Sequence, residues 1–487
     1  MRKVFSLVLI LLLHTSLSSG QRVRDFDPET KEMFPARGGA VDWGLALSGG
    51  GIRSASFSIG VMKALYDLEY FNDIDVVSSV SGGGYASYWM LTKYSAEDVK
   101  FGDSMFENHN FVKNVCELQN NSRFFRFKSM IESFFESRNE RFERYESSII
   151  ETFGNGKSRN TKLDFLNNYI ENGKVPFYIF NTTVINSFVE TDKPSRRMRV
   201  FELTPKYMGN PAVDFYKWSG SNSIPLSLSE SATTSAAAVK KMSRTISNYS
   251  PGKVKGAQLS LYDGGHSENL GAFALISRGV KNVIIVDAAH DPDYKFEEYT
   301  NLKNILKEKN NITLYVEDIE EFLKNPQKKN GRRLFSKSSV SEGKAVSDNF
   351  TSTIYFIKMS RPETIFSGRF SDKGAIERGK ALIETRNSLE KRIKKRQHVD
   401  CSNIDLKFGN SLREYPDMFT YLVREYTEDP YKHWFWGSFG WLIPAWRYNF
   451  PQTTTFDQTF YPVQMEAFIG LGYLEALEMN NISTRRK

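Results

Sequence analysis

Two glycine-rich turns early in the chain constrain it more than any other feature. The first is Leu45-Ala46-Leu47-Ser48-Gly49-Gly50-Gly51-Ile52-Arg53-Ser54, and the second is Val76-Val77-Ser78-Ser79-Val80-Ser81-Gly82-Gly83-Gly84. Each starts as a short apolar run of strand type and ends in a segment that reads as helix. Phe57, Val61, Leu65 and Leu68 recur at helical spacing after the first, and Tyr85, Trp89 and Met90 repeat the pattern more weakly after the second. A strand entering a helix through glycines leaves backbone N–H groups without partners and points the positive end of the helix dipole at the turn. Glycine also lets the backbone approach a ligand closely. Such a turn suits a bound phosphate or the oxyanion of an acyl transfer. Ser79-x-Ser81-x-Gly83 is a near match to the G-x-S-x-G elbow that presents a nucleophilic serine, with Ser79 in place of the first glycine. Taken alone it is as well read as a glycine-rich turn of any α/β protein; the matched turn upstream favours the catalytic reading.

Down the chain, strand-type runs return at Val175–Phe180, Met198–Leu203, Leu259–Asp263 and Val283–Asp287, with helical segments between them. Alternation of this kind predicts an α/β protein, with helices on both faces of a sheet and the site where strands end and helices begin. The run Leu259 to Asp263 ends in Asp263-Gly264-Gly265-His266, an acidic residue on a tight turn. Residues 225–243 hold Ala232 and Ala236 to Val239, a small-residue helix able to pack closely behind the turns. Residues 103–172 differ in character. Phe124, Phe125, Phe127, Met130, Ile131, Phe134 and Phe135 are interleaved with charges, as in amphipathic helices inserted between core strands. Packing against the core is the first reading of that insertion, and a lid or membrane-facing cap the second. Beyond 300, Thr313–Val316 and Thr353–Ile357 read as strands. Residues 326–350 read as an exposed basic loop, and residues 372–396 as a charged helix ending in Lys391-Arg392-Ile393-Lys394-Lys395-Arg396. Residues 434–446 are rich in tryptophan, suiting either a core or a membrane boundary.

The 487 residues suffice for one large domain with extensions, and the charge is mildly basic at +8. That balance suits an anionic membrane surface; with no zinc finger or arginine-rich arm, nucleic acid is set aside as a partner. Residues 1–20 read as a signal peptide: Arg2 and Lys3, an apolar stretch from Val4 to Leu13, then Ser18-Ser19-Gly20. The expectation is export, with an uncleaved signal anchor as the alternative. The two cysteines, Cys116 and Cys401, could pair in an oxidising compartment. No metal-ligand cluster is visible, and no cofactor is expected.

A serine hydroxyl needs a base beside it. His266 and His290 both lie near strand ends, and Ser81…Asp263…His290 would follow the chain order of the α/β-hydrolase triad. Alternatively, Asp263 takes the proton itself. Here the sequence resembles the patatin-like phospholipases, and more distantly the cytosolic phospholipase A family. The resemblance rests on Ser48-Gly49-Gly50-Gly51-Ile52-Arg53-Ser54, the elbow at Ser81 and Asp263-Gly264-Gly265, in that order. The stretch from Asp263 to Gly271, Val283 to Pro292, Thr455-Phe456-Asp457-Gln458, Glu466-Ala467-Phe468 and Leu471-Gly472-Tyr473 are similar to a bacterial and fungal branch of the same family. It implies a three-layer α/β fold with a central, mostly parallel sheet. A core over 41–300 would carry the helical insertion 103–172, with a C-terminal extension over 301–487 packed on it. It also implies Ser81 as nucleophile, Asp263 as the base of a Ser–Asp dyad with no catalytic histidine, and an oxyanion hole from the N–H groups of Gly49, Gly50 and Gly51. Arg53 would hold that loop or bind a lipid phosphate. Ser79 and Ser54 depart from the glycines frequent at those places. The activity implied is hydrolysis of a phospholipid or other lipid ester, of phospholipase A or lysophospholipase type, with peripheral contact to a membrane surface. A silent lipid- or phosphate-binding module, a non-lipid serine esterase and a serine peptidase are the other readings.

Overall fold

The computed structural model describes residues 41–94, 105–121, 138–154, 161–172, 175–185, 200–210, 214–217, 226–237, 244–249, 257–326, 328–329, 332–333, 335, 339–360, 373–395, 397, 401, 419–423, 450–452 and 462–484. One 12-stranded mixed sheet runs through it. Its strands are β1 (Trp43–Leu47), β2 (Val76–Val80), β3 (Phe177–Ile185), β4 (Val200–Leu203), β5 (Tyr207–Asn210), β6 (Asp214–Lys217), β7 (Arg244–Tyr249), β8 (Ala257–Asp263), β9 (Asn282–Asp287), β10 (Thr313–Val316), β11 (Val340–Val346) and β12 (Thr351–Lys358). The spatial order is β10-β11-β12-β9-β1-β2-β3-β4-β5-β6, with β8 also paired to β3 and β7 to β8. The central strands β12, β9, β1, β2 and β3 run parallel, and the flanking pairs are antiparallel. Parallel strands are covered on both faces, so β1, β2 and β9 are almost wholly buried and read as continuous apolar runs.

β3 explains how the two ends of the proposed site meet. Its Asn181 stands opposite Val80, the last residue of β2, and its next residue, Thr182, stands opposite Asp263, the last of β8. Two strands remote in sequence therefore finish at adjacent rungs of one strand. Helix α1 (Gly51–Asp67) leaves β1 through the first glycine turn, and α2 (Gly82–Tyr94) leaves β2 through the second. The insertion supplies α3 (Asn108–Asn121) and α4 (Arg138–Phe153), and the small-residue segment supplies α5 (Leu228–Ser235). Beyond the core lie α6 (Glu297–Asn310), α7 (Lys373–Lys394) and α8 (Pro462–Leu477). α8 lies against α1 with the two backbones in contact: a Cβ at Gly60 would sit 1.9 Å from the Ile469 carbonyl oxygen, and one at Gly472 would sit 2.1 Å from that of Phe57. This close approach is why both helices are buried almost end to end and why α8 shows so little amphipathic character.

The residues expected to form a separate C-terminal extension contribute β10, β11 and β12 to the same sheet. The segment 326–350 is not simply an exposed basic loop. Val340–Val346 is β11, pairing with both β10 and β12. Its polar content hid it: Glu342 and Lys344 face solvent while Val340 and Ala345 are buried. The charged helix is present as α7, with Lys391 and Arg392 exposed and Arg386 buried against Glu466 of α8 at 2.9 Å. The signal-peptide region, the phenylalanine cluster 124–135 and the aromatic stretch 434–446 lie outside the described residues. Among the described residues no helix is long and apolar enough to cross a membrane.

Cys116 of α3 and Cys401 form a disulfide, with Cα atoms 5.9 Å apart and a sequence separation of 285. It ties the insertion to the C-terminal part, where Gln119 of α3 also donates to Glu466 at 2.7 Å. Closing so long a loop restricts the unfolded chain, and losing such a bond typically costs about 2–5 kcal/mol. Cys116→Ser is therefore expected to melt several degrees lower than the oxidised wild type. Dithiothreitol should lower the wild type to match and leave the variant unmoved.

Candidate active site

Ser81 occupies the turn between β2 and α2 with φ of +49°, the left-handed region that a serine enters at a cost. Three contacts fix it there. Its N–H donates to Ser235 Oγ at 3.0 Å, its carbonyl accepts from Tyr85 N–H at 3.2 Å, and Gly83 N–H donates to the Ser48 carbonyl at 3.1 Å. The flanking glycines are needed for space. A Cβ at Gly82 would lie 2.2 Å from the Gly51 carbonyl oxygen and 2.7 Å from the Gly51 nitrogen, and one at Gly83 would lie 2.3 Å from the Leu47 carbonyl oxygen. The two glycine turns are thus packed back to back, with the first amide of α1 beside the residue that follows Ser81. Ser79, the departure from the elbow pattern, is accommodated because its hydroxyl turns to the Ile179 carbonyl at 3.3 Å.

Asp263 closes β8 and caps the short turn after it, accepting Gly265 N–H at 2.7 Å. Its own N–H donates to the Ala237 carbonyl at 3.2 Å. Burial raises its pKa above the ordinary carboxylate value, and hydrogen bonds from Gly265 N–H and the Ser81 hydroxyl, together with the nearby charge of His266, pull it back in part. The Ser81 hydroxyl is thus near enough to lower the Asp263 pKa, as the adjacent rungs of β3 that end β2 and β8 would place it. His266 is exposed on the turn that Asp263 caps. His290 is exposed too, and the charged side chains acting on it are Arg53, Asp291 and Lys358.

The first glycine turn differs from expectation at one of its three amides. Gly49 N–H donates to the Asn269 carbonyl at 2.9 Å and so is already engaged. Among the described residues no acceptor faces the N–H of Gly50 or Gly51. Gly50, at φ +148°, and Gly51, at φ +64°, turn the chain sharply into α1, whose first N–H groups have no intrahelical acceptor. The amides available for an oxyanion are thus those of Gly50 and Gly51, and Gly49 is the hinge that seats the turn. Arg53 was expected to hold the loop or to bind a lipid phosphate, and its surroundings fit the first of these roles. It is 1% exposed, its Nε donates to the Ala288 carbonyl at 3.2 Å, and burial lowers its pKa to about 10. A side chain so enclosed holds the turn against the loop after β9 and offers no surface to a head group. That loop is anchored by Lys358, which pairs with Asp287 at 2.8 Å with both side chains almost wholly buried.

Several residues of the site escape sequence reading. Asn269 supports both turns: a Cβ at Gly49 would lie 2.2 Å from its Oδ1, and one at Gly265 would lie 2.7 Å from it. Its Nδ2 donates to Glu298 at 3.2 Å. Glu268 accepts Leu270 N–H at 2.6 Å and Phe273 N–H at 3.2 Å, and burial pushes its pKa up to about 7 despite those bonds. Asn181 donates to Ser78 Oγ at 2.9 Å while its carbonyl accepts the Ser235 hydroxyl at 2.7 Å. Asn269 and Glu268 fall inside the legible Asp263–Gly271 string; Asn181 and Ser235 carry no local signal, because only the β3 register and the end of α5 bring them in.

Residues 45–276 match the family model described as patatin-like phospholipase. Among solved structures, the human GIVD cytosolic phospholipase A2 superposes with a TM-score of 0.54 at 10% identity, over 96% of this chain and 63% of that one. Its complex with methyl gamma-linolenyl fluorophosphonate superposes with a TM-score of 0.47 at 11% identity, over 91% and 58%. The present chain thus spans less than two thirds of the human enzyme, and at these identities the likeness is one of fold. No curated protein matches the sequence.

Proposed function

From a chain whose residues 45–276 form a patatin-like phospholipase domain, we propose a lipid acyl hydrolase that works through a Ser81–Asp263 dyad and an acyl-enzyme. The observation that carries this reading is that the turn bearing Ser81 and a buried Asp263 meet at adjacent rungs of β3, with the hydroxyl near enough to lower the carboxylate's pKa, beside two amides with open N–H groups. Burial makes Asp263 a better base than a solvated carboxylate, since its charged form is less stabilised.

Ser81 Oγ attacks the ester carbonyl carbon as its proton passes to Asp263. The carbonyl oxygen gains charge as it becomes tetrahedral, and the N–H groups of Gly50 and Gly51 meet it at the positive end of α1; one such donor is worth on the order of 3 kcal/mol. Collapse breaks the ester C–O bond, and the proton on Asp263 goes to the departing alkoxide. Water then gives its proton to Asp263 and its oxygen to the acyl carbon, releasing the fatty acid and restoring Ser81. This chemistry uses only groups of the chain. Phospholipids and lysophospholipids are the substrate class, met at a lipid surface, and the Cys116–Cys401 disulfide supports an oxidising, exported setting.

The test is a serine-directed fluorophosphonate probe followed by peptide mapping and a panel of lipid and short-chain esters. The adduct is expected on the peptide containing Ser81, with release of fatty acid from phospholipid vesicles. A clean folded protein that takes up no probe would be a binding module. Turnover confined to short-chain esters would make it a non-lipid esterase.

A further inference from the structure

The end of α5 touches every part of the dyad. Ser235, its last residue, accepts the Ser81 N–H at 3.0 Å, and Ala237, two residues on, accepts the Asp263 N–H at 3.2 Å. The residue between them, Ala236, has its carbonyl taken by the Tyr145 hydroxyl of α4 at 3.3 Å. Three consecutive residues thus serve the nucleophile, the inserted helix and the base.

α4 grips this segment from both ends. Glu146, next to Tyr145, accepts the hydroxyl of Ser229 at 2.6 Å and lies 3.5 Å from that of Ser227, the cap of α5. At the other end the Tyr145 hydroxyl also hydrogen-bonds the hydroxyl of Tyr85, one turn into α2 from Ser81, and the Tyr85 ring stacks on Phe153 of α4 with centroids 5.1 Å apart. Burial pushes both phenols above the ordinary tyrosine value; Tyr145 and then Asp263 raise Tyr85 further, while for Tyr145 the bond with Tyr85 lowers the value and Asp263 raises it, so both stay protonated as hydrogen-bond partners. Ser81 is held at positive φ, a conformation that persists only where its surroundings over-determine it.

We infer that the inserted helix α4 is part of the catalytic apparatus, and that Tyr145 is a positioning residue which holds Ser235, Ala236 and Ala237 in place between Ser81 and Asp263. The inference rests on the hydrolase reading and adds to it a means by which the insertion governs the site. A residue that only filled space would affect melting; a positioning residue affects the chemical step, because small misplacements of reacting groups cost up to about a hundredfold in rate.

The experiment measures turnover of a medium-chain p-nitrophenyl ester, and the rate of fluorophosphonate labelling, in wild type, Tyr145→Phe, Tyr85→Phe and the double variant, with thermal melting of each. Tyr145→Phe keeps the ring and removes the hydroxyl; its kcat is expected to fall about 10- to 100-fold, with KM and melting midpoint nearly unchanged. Tyr85→Phe leaves the Ala236 bond in place and should lose less. The double variant should be no slower than Tyr145→Phe, since both changes act through one linkage. A Tyr145→Phe kcat within twofold of wild type, a loss that merely follows the melting midpoint, or multiplying losses in the double variant would overturn the inference and leave the hydrolase reading standing. Should Tyr145→Phe fail to fold, Tyr85→Phe gives a weaker test of the same linkage: a severalfold lower kcat at an unchanged melting midpoint is expected, and a kcat equal to wild type would overturn the inference. Absence of Ser81-dependent labelling in the wild type would sink both.

Discussion

Ser81→Ala is expected to remove fluorophosphonate labelling and to lower lipid turnover by a factor on the order of 10⁴ to 10⁶, as loss of a catalytic serine does in other serine hydrolases. The amides of Gly50 and Gly51 and the Asp263 carboxylate stay in place, so a residual rate above that of water is expected from binding and electrostatic stabilisation alone. The fold should not suffer. The bonds that hold the turn run from backbone groups of Ser81 and Gly83, not from the Ser81 side chain, and alanine accepts positive φ no worse than serine. A companion variant sharpens the point. Ser81→Gly should be equally inactive yet more stable, by roughly 1 kcal/mol, because glycine takes the left-handed conformation without strain. A more stable, inactive Ser81→Gly would show that the strain is kept for the hydroxyl. Turnover surviving in both variants would move the nucleophile elsewhere.

What could be read from the sequence, and what could not, divides along the distance between interacting groups. The two glycine turns were legible because a strand, a positive-φ turn and a helix are all determined within about ten residues. The same holds for Asp263-Gly264-Gly265, where the carboxylate bonds an amide two residues ahead. The engagement of Gly49 N–H was not legible, since its acceptor, Asn269, lies far down the chain and the residue type gives no sign of a carbonyl at that spot. The choice between the two readings of Arg53 was hidden for a related reason. An arginine beside a phosphate-type turn looks like an anion ligand, and only the position of Ala288 shows that its guanidinium is spent on a buried carbonyl. β11 was lost to composition: an antiparallel strand near a sheet edge can carry Glu342 and Lys344 on its solvent face, and those charges masked the buried positions Val340, Ser341 and Ala345. Tyr145 carried no sign at all. Its role depends on α4, α2 and α5 meeting, and helix packing leaves no mark on any one segment.

Asp263→Asn separates the dyad from the triad. Asparagine keeps an oxygen to accept Gly265 N–H and so preserves the turn, but it cannot take a proton from Ser81. Turnover should fall about 10³- to 10⁴-fold with the melting midpoint little changed, the range seen when the carboxylate of a serine hydrolase is lost. His290→Ala should stay within a fewfold of wild type, since its imidazole is exposed and the charges acting on it are Arg53, Asp291 and Lys358, with Asp263 not among them. A histidine variant as damaging as Asp263→Asn would restore the triad. The pH profile gives an independent sign. A dyad base must be ionised to act, so activity disappears as pH falls through the pKa of Asp263. Burial raises that pKa, which puts the acid limb above the ordinary aspartate value of about 3.9. His266 opposes burial, its charge lowering the Asp263 pKa. Removing it in His266→Ala should therefore move the acid limb to higher pH and leave the plateau rate near that of wild type. A general-base histidine would do the reverse: its loss would collapse the plateau and leave no limb to shift.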